Sequence, residues 1–393
     1  MYLAEVEGFE PPDGLPSLVF KTSAFGRSAI LPWDRSKRCH HTIPHGLVSS
    51  LVSVGSMEHT TEHTMHAIIQ TDAEDPSALS WQQAPIPELK DGEALVEMKF
   101  AGLNRADTLQ AAGHYPPPAG ITEIIGLEGS GVVKEANGTT RPDGTPWKNG
   151  DHVGVLLSGG GYAQYAAVPQ GQLLPLPEGF NLQQTASVIE VACTVWSNIM
   201  LTAHVEEGDT VLFHGGAGGI GIFGIQLAKA LGATVAVTAG SAEKLETCKK
   251  YGADILINYK EEDFAEVLKE HGGADVILDI IGAKYLDGNV SALAKDGHIV
   301  IIGMQGGVKG ELNIGKLLSK RGNISATGLR YRDKEDKARI VEDTVNNVWP
   351  MLADGRITHH IDRVMPVKDV PAAHKALLDG EITGKVVLEI PNA

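Results

Sequence analysis

Alternation of apolar and polar residues marks the first patterned part of the chain. Val96, Met98 and Phe100 are separated by charged residues, as on a strand with one buried face. Gly129–Lys134 and Val153–Leu157 have the composition of further strands, and Gly- and Pro-rich stretches separate these segments. Many short strands joined by such turns predict a β-rich, barrel-like domain.

The pattern changes at about Glu190, where continuously apolar runs begin to alternate with helical segments. Strands without polar alternation are covered on both faces, which is typical of a doubly wound parallel sheet. The final strand, Lys385–Ile390, is predicted to return to the first domain. Six apolar runs form the predicted parallel sheet: Thr210–Phe213, Thr234–Thr238, Asp254–Ile257, Val276–Ile281, His298–Ile302 and Ile324–Thr327.

The first 64 residues show neither strand nor helix periodicity. We interpret residues 1–64 as a disordered leader or as the product of a start assigned too far upstream, with Met57 or Met65 as the natural start. Three histidines, His59, His63 and His66, are interpreted as polar residues rather than metal ligands, because no Cys or carboxylate cluster completes the set.

Composition excludes several functional classes. The chain has 33 Lys and Arg against 49 Asp and Glu, a net charge of −16, which disfavours a nucleic-acid partner. No stretch is long and apolar enough to predict a membrane span. The three cysteines are widely spaced and odd in number, so we expect no disulfide framework and a cytoplasmic location.

A glycine-rich turn, Gly215–Gly221, follows the first strand of the predicted parallel sheet. Gly216, Gly218 and Gly221 match the G-x-G-x-x-G pattern, and a helical face follows. Glycines there permit the tight turn and the close approach of a pyrophosphate to the helix N-terminus. A glycine-rich surface loop is the less favoured alternative. The predicted cofactor contacts in this turn are Gly216, Ala217, Gly218, Gly219, Ile220 and Gly221.

The end of the second strand selects among nicotinamide cofactors. NAD sites usually place an acid there to bind the ribose 2′-hydroxyl, but this chain has Ala239-Gly240-Ser241, followed by Lys244. A hydroxyl and an ammonium suit a 2′-phosphate, so Ser241 and Lys244 predict NADPH rather than NADH. In the alternative interpretation, Ser241 only caps the next helix and Lys244 is a solvated surface residue.

From about Met65 to Ile390 the chain resembles the zinc-free quinone oxidoreductases of the medium-chain dehydrogenase/reductase superfamily, most of all the tumour-suppressor-inducible quinone oxidoreductase group. The resemblance implies a Rossmann NADPH-binding domain over residues 189–330, a GroES-like domain over 65–188 and 331–393, and a homodimer. Besides the glycine turn, the matching segments are Ala101–Asp107, Gly113–Pro118, Gly126–Gly129, Gly150-Asp151, Thr238–Ser241, Asn258–Lys260 and Gly384–Leu388.

Zinc-dependent relatives carry a Cys in the segment that matches Ala101–Asp107 and a His before the acid that matches Glu128. This chain has no Cys in that segment and Leu127 before the acid. Three cysteines also cannot form a structural four-Cys site. We therefore expect no metal.

The resemblance also implies site residues beyond the glycine turn. Asn104 and Tyr115 are the predicted catalytic residues, with a turn Asn and a Tyr packed on prolines as the structural alternatives. Tyr115 could donate a hydrogen bond to a substrate oxygen. Glu128 is expected to fix a loop or an Arg rather than to act as an acid or base. The further predicted cofactor contacts are Thr194, Tyr259, Gly303 and Arg330.

The preferred function is hydride transfer from NADPH to a small-molecule quinone in the cleft between the two domains. One alternative is NADPH-dependent reduction of an activated alkene, such as an enal, an enone or an enoyl thioester. A second alternative is a non-catalytic NADPH-binding or RNA-binding protein, although the acidic composition disfavours RNA.

Overall fold

The structure is a computed structural model that describes residues 64–393. The hypotheses about the leader, including a start at Met57, fall outside the described residues. His66 lies inside them, on the first strand, where its ring stacks on Trp81 with centroids 5.9 Å apart. No helix within residues 64–393 is both long and apolar enough to cross a membrane.

Fifteen strands and ten α-helices are formed by residues 64–393, with three single-turn 3₁₀ helices at Gln170–Gln172, Ala283–Tyr285 and Val367–Asp369. The strands are β1 (Thr64–Gln70), β2 (Leu79–Pro85), β3 (Glu93–Gly102), β4 (Glu128–Glu135), β5 (His152–Leu156), β6 (Tyr165–Pro169), β7 (Leu173–Leu174), β8 (Thr210–His214), β9 (Thr234–Ala239), β10 (Ile255–Asn258), β11 (Ala274–Asp279), β12 (Leu293–Ile301), β13 (Asn323–Ala326), β14 (Ile361–Pro366) and β15 (Lys385–Glu389). The helices are α1 (Arg105–Ala111), α2 (Leu182–Thr185), α3 (Ile189–Ile199), α4 (Gly219–Ala230), α5 (Ala242–Lys250), α6 (Phe264–Glu270), α7 (Leu286–Ala292), α8 (Ile314–Lys320), α9 (Lys334–Ala353) and α10 (Val370–Leu378).

The first and last parts of the described chain share one mixed sheet. Its strand order is β14-β15-β3-β4-β5-β7, and β6 also pairs with β3. The final strand β15 is antiparallel to β3, with Leu388 opposite Ala101. The predicted return of the C-terminal strand to the first domain is therefore confirmed. A separate hairpin of β1 and β2 packs beside this sheet.

The second sheet has six parallel strands in the order β10-β9-β8-β11-β12-β13. The order reverses between β8 and β11, and ligands of such sheets bind outside the carboxyl ends of the strands at this point. The predicted doubly wound sheet of six strands is confirmed. The strand boundaries differ from the predicted ones by one to five residues. For example, β11 ends at Asp279 rather than Ile281, because the Asp279 carboxylate accepts hydrogen bonds from the Ile281 and Gly282 amides.

Helix α9 lies beyond residue 330, where the sequence places the end of the cofactor domain. Its buried residues Ile340, Val348 and Trp349 belong to the same apolar cluster as Val211 and Phe213 of β8. The core under the parallel sheet therefore continues into the segment that the sequence assigns to the other domain.

Candidate active site

The glycine turn joins β8 to α4 at the carboxyl edge of the parallel sheet. A Cβ atom on Gly216 would lie 2.7 Å from Val237 Cβ, and one on Gly221 would lie 2.4 Å from the Gly216 carbonyl oxygen. Gly218 is exposed, and a Cβ there would meet only the Gly215 carbonyl oxygen, at 3.4 Å. The turn is thus closed toward the protein and open at Gly218, where the N-terminus of α4 can receive an anion.

The next strand, β9, ends at Ala239 with no carboxylate beside it. Ser241 caps α5 by accepting a hydrogen bond from the Lys244 amide at 3.3 Å, so its predicted capping role is confirmed. The Lys244 ammonium donates to the Gly380 carbonyl at 2.7 Å. A Cβ atom on Gly240 would lie 2.5 Å from the Tyr259 hydroxyl. Ser241, Lys244 and Tyr259 therefore surround one strand end.

A buried ion pair holds Asn104 at the start of α1. Lys385 Nζ donates to Glu128 Oε1 at 2.6 Å, to Asn104 Oδ1 at 2.7 Å and to the Leu103 carbonyl at 2.9 Å. Asn104 Nδ2 also donates to Glu128 Oε1, at 2.8 Å. The Glu128 side chain is fully buried, and the Lys385 side chain is 7% exposed. Both functional atoms of the Asn104 amide are therefore fixed in one orientation.

The same network continues into helix α3. Glu128 Oε2 accepts a hydrogen bond from the Glu190 amide at 2.8 Å, and Glu190 Oε1 accepts from the Thr194 hydroxyl at 2.8 Å. Burial, followed by the nearby Glu128 charge, raises the pKa of Glu190 above its ordinary value. The structure therefore connects two predicted site residues, Asn104 and Thr194, through Glu128 and Glu190.

Tyr115 and Arg330 lie together on another side of the site. Arg330 is buried, and its guanidinium donates to the carbonyls of Ser158 and Tyr115, both at 2.8 Å, and to Gln110 Oε1 at 2.7 Å. It also lies 5.2 Å from the centroid of the Tyr115 ring. Arg330 thus fixes the loop that carries Tyr115, and the cofactor contact proposed for it remains a prediction.

The Tyr115 hydroxyl keeps its proton over a wide pH range. Burial, with a smaller contribution from Tyr331, raises the pKa of Tyr115 to about 12. The two rings meet edge to face at a centroid distance of 5.1 Å. A phenol in this state can donate a hydrogen bond throughout the physiological range.

Gly303 follows β12 at the same edge of the sheet. A Cβ atom there would lie 2.7 Å from the Ile280 carbonyl oxygen, so only glycine allows the two loops to pack this closely. The loop continues at the exposed Met304. Gly303 therefore lies beside the strand-order reversal, next to the loop that follows β11.

Two site residues, Lys385 and Glu190, were not identified as functional from the sequence. Lys385 comes directly before three apolar residues of the final strand, and Glu190 is an acid at the start of an apolar helix. A charged residue in an apolar element is a signal of a buried partner. That signal does not name the partner, which lies 257 residues away for Lys385 and 62 for Glu190.

Asp107 gives the site a testable dependence of stability on pH. Its Oδ2 accepts hydrogen bonds from the Asn104 backbone amide at 2.7 Å and from the Tyr162 hydroxyl at 2.9 Å. Burial raises the pKa of Asp107 from 3.8 to about 7. The folded chain thus holds this proton more tightly than the unfolded chain, so the contribution of Asp107 to stability falls as pH rises from about 4 to about 7.

The variant Asp107→Asn is expected to lose this pH dependence. The wild type should lose stability as the pH rises and the variant should not. The free energy of unfolding of the variant minus that of the wild type should therefore increase by about 1–3 kcal/mol between about pH 5 and about pH 8. Urea unfolding at several pH values measures this difference. Parallel pH profiles for the two proteins would contradict the raised pKa of Asp107.

Comparisons with known proteins agree with this architecture. A model of the alcohol dehydrogenase GroES-like domain matches residues 90–178, and a model of the zinc-binding dehydrogenase family matches residues 219–345. Among residues 64–393, no group of three or more His, Cys, Asp or Glu side chains is placed to hold a metal ion. The predicted fold class, a Rossmann domain with a GroES-like domain, is confirmed.

Similar proteins are named as quinone oxidoreductases or as a 2-haloacrylate reductase. A quinone oxidoreductase from Pongo abelii is 27% identical over 337 residues, covering 84% of this chain and 99% of that protein. A 2-haloacrylate reductase from Burkholderia is 28% identical over 327 residues, covering 81% of this chain and 96% of that protein. The structure of Escherichia coli quinone oxidoreductase complexed with NADPH has a TM-score of 0.72 at 27% identity, covering 83% of this chain and 99% of that one. The chain belongs to the medium-chain dehydrogenase/reductase superfamily and is similar to its quinone oxidoreductases.

Proposed function

We propose that the protein is an NADPH-dependent reductase of quinones. The observation that carries the cofactor assignment is the end of β9, where Ser241, Lys244 and Tyr259 surround a strand end that has no carboxylate. A hydroxyl, an ammonium and a phenol can bind a 2′-phosphate, whereas an acid would repel it. The similarity to quinone oxidoreductases, one of them complexed with NADPH, supports both the cofactor and the substrate class.

In this proposal the protein orients the reactants and keeps water away from them. The bound nicotinamide supplies a hydride. Tyr115 donates a hydrogen bond to a substrate oxygen, which stabilises the negative charge that develops there. The ion pair of Lys385 and Glu128 fixes Asn104, which holds the cofactor ribose or the substrate. Thr194 and Gly303 line the nicotinamide side of the same cleft.

Zinc is not part of this proposal. The position before Glu128 is occupied by Leu127, a buried apolar side chain that cannot coordinate a metal. The segment at residues 101–107 has no Cys. Quinones accept a hydride readily, so the reaction needs a hydrogen-bond donor rather than a Lewis acid.

A parallel assay of NADPH oxidation tests the substrate class. The substrates are 9,10-phenanthrenequinone, a short enal and an enoyl-CoA, each at equal concentration. We expect the quinone to have the highest kcat/KM. Faster turnover of either alkene would reject the quinone assignment and favour alkene reduction, the alternative that the similarity to a 2-haloacrylate reductase supports. Tight NADPH binding without turnover of any substrate would favour a non-catalytic protein.

Lys244→Ala is expected to weaken NADPH binding about tenfold and to change NADH binding by less than about twofold. The ammonium contributes to affinity only when a 2′-phosphate is present. Fluorescence titration of each cofactor measures both dissociation constants. Lys249→Ala, an exposed lysine in the last turn of the same helix, is the matched control. Equal losses for NADPH and NADH would remove Lys244 from the phosphate site.

We also propose that the protein forms a homodimer through the edge of its parallel sheet. Val308, Ile314 and Leu318 are 72%, 68% and 74% exposed, and the last two lie on α8, the helix that precedes β13 in the chain. The outer edge of β13 pairs with no strand among residues 64–393. Exposed apolar residues and an unpaired strand edge both suit a second copy of the same chain, whose β13 could extend the sheet.

Leu318→Glu is expected to convert this dimer into a monomer, because it places a charge in the apolar contact. Sedimentation velocity measures the change in mass. Ser319→Glu, a polar and exposed position on the same helix, is the control and should leave the dimer intact. A monomeric wild-type protein would refute the proposal.

A further inference from the structure

A chain of buried polar side chains crosses the point where the strand order of the parallel sheet reverses. It comprises Asp279 at the end of β11, Asn289 of α7, His214 at the end of β8 and Thr238 of β9. Each of these four residues is at most 1% exposed. The chain ends beneath Gly215, the first residue of the glycine turn. None of its four members is a predicted site residue.

The hydrogen-bond donors and acceptors in this chain can all be assigned. Asn289 Nδ2 donates to Asp279 Oδ2 at 3.0 Å, which leaves Asn289 Oδ1 facing His214 Nε2 at 2.8 Å. A carbonyl oxygen only accepts, so His214 carries its proton on Nε2. His214 Nδ1 therefore accepts from the Thr238 hydroxyl at 3.0 Å, and Thr238 Oγ1 accepts from the Gly215 amide at 3.3 Å.

The histidine is held as a neutral ring. The rings of Phe264 and Tyr285 each meet it edge to face, with centroids 4.8 Å away. Burial lowers the pKa of His214 to about 4. The titratable groups that face it are Asp279, beyond Asn289, and the phenol of Tyr285. The hydrogen-bond directions of the chain are therefore fixed at physiological pH.

Asp279, at the other end of these hydrogen-bonded side chains, fixes the loop that follows β11, which in turn bonds the loop that follows β12. The Asp279 carboxylate accepts from the Ile281 amide at 2.6 Å and the Gly282 amide at 3.1 Å. The Gly306 amide then donates to the Ile281 carbonyl at 2.7 Å, in the loop that begins at Gly303. One continuous set of hydrogen bonds thus joins the turn for the pyrophosphate to the loop beside the nicotinamide.

We propose that His214, as the neutral Nε2–H tautomer, is a positioning residue. It fixes the distance between the glycine turn and the two loops that contain Ile281 and Gly303, so that both halves of the dinucleotide bind at the correct spacing. This inference rests on the proposed function, because NADPH is the ligand that spans the two loops. His214 itself has no contact with the reacting atoms and acts through Thr238 and Asn289.

Thr238→Val tests this role without changing the shape of the side chain. The variant removes the donor to His214 Nδ1 and the acceptor for the Gly215 amide. We expect the dissociation constant of NADPH to rise about tenfold, while that of 2′,5′-ADP, which contains only the adenosine half, changes by less than about threefold. Thr238→Ser restores the hydroxyl and should restore NADPH affinity. Equal losses for both ligands, or no loss, would overturn the proposal.

Nitrogen NMR of the histidines in the wild-type protein without cofactor provides a second test that does not depend on how a variant folds. We expect the His214 signals of the Nε2–H tautomer near pH 7, assigned by their loss in His214→Gln. An Nδ1–H tautomer or a charged ring would contradict the assigned hydrogen bonds of His214 and overturn the proposal. A wild-type protein that shows this tautomer but does not bind NADPH would instead refute the proposed function.

Discussion

Replacing Lys385 with methionine should lower the free energy of unfolding by about 3–5 kcal/mol, the largest stability effect we expect from a single side chain in this protein. Methionine fills a similar volume but leaves the carboxylate of Glu128 fully buried without its cation. It also removes the donors to Asn104 Oδ1 and to the Leu103 carbonyl. The cost arises from the unpaired buried charge, so it should depend on Glu128.

The double variant Lys385→Met/Glu128→Gln provides the control. Glutamine is neutral. Its side-chain oxygen can still accept the hydrogen bond that the Glu190 backbone amide donates to Glu128 Oε2 in the wild type. We expect the double variant to recover most of the lost stability. In both variants kcat should be lower than in the wild type, because Asn104 is no longer held by Lys385. Urea unfolding and NADPH oxidation measure the two effects. A single variant as stable as the wild type would show that the pair is not buried in solution.

Local sequence patterns were enough to predict the glycine turn and the strand end that form the candidate cofactor site. The glycine turn could be predicted because the strand, the turn and the helix that form it are contiguous, and each glycine has a local steric reason. The missing acid after β9 is also a local signal. Ser241 caps α5 and Lys244 lies in its first turn, so the sequence alone places both close to the strand end.

The substrate half depends on contacts between distant segments, and the sequence could not predict them. Lys385 bonds Asn104 across 281 residues, and Arg330 bonds the Tyr115 carbonyl across 215. The periodicity of apolar residues along a segment indicates whether a side chain faces a core, but not which other segment it contacts there. For this reason the sequence could not show that Arg330, a predicted cofactor contact, also fixes the loop of Tyr115 through its hydrogen bonds.

The buried chain through His214 shows a second limit of sequence patterns. His214 and Asp279 each end an apolar strand, and such polar residues indicate the carboxyl edge of the sheet. Their connection depends on Asn289, which α7 supplies from elsewhere in the sequence. Tertiary packing, rather than local propensity, decides which polar groups meet.

Gly221→Ala is expected to abolish measurable NADPH binding and turnover. The added Cβ would lie 2.4 Å from the carbonyl oxygen and 2.5 Å from the Cα of Gly216, and neither backbone atom can move without opening the turn. Overpacking of this kind costs about 1–3 kcal/mol in stability and displaces α4 from the position that receives the anion. Thermal unfolding and fluorescence titration with NADPH measure the two effects.

Gly218→Ala separates the steric role of the turn from its role in binding. A Cβ at Gly218 makes only an ordinary contact with the Gly215 carbonyl oxygen, at 3.4 Å, and it occupies the open side of the turn. We therefore expect this variant to keep the stability of the wild type while its NADPH affinity falls about tenfold or more. The loss should be as large for NADH, because both cofactors carry the same pyrophosphate. Unchanged affinity in Gly218→Ala would mean that the pyrophosphate does not bind against the open face of the turn.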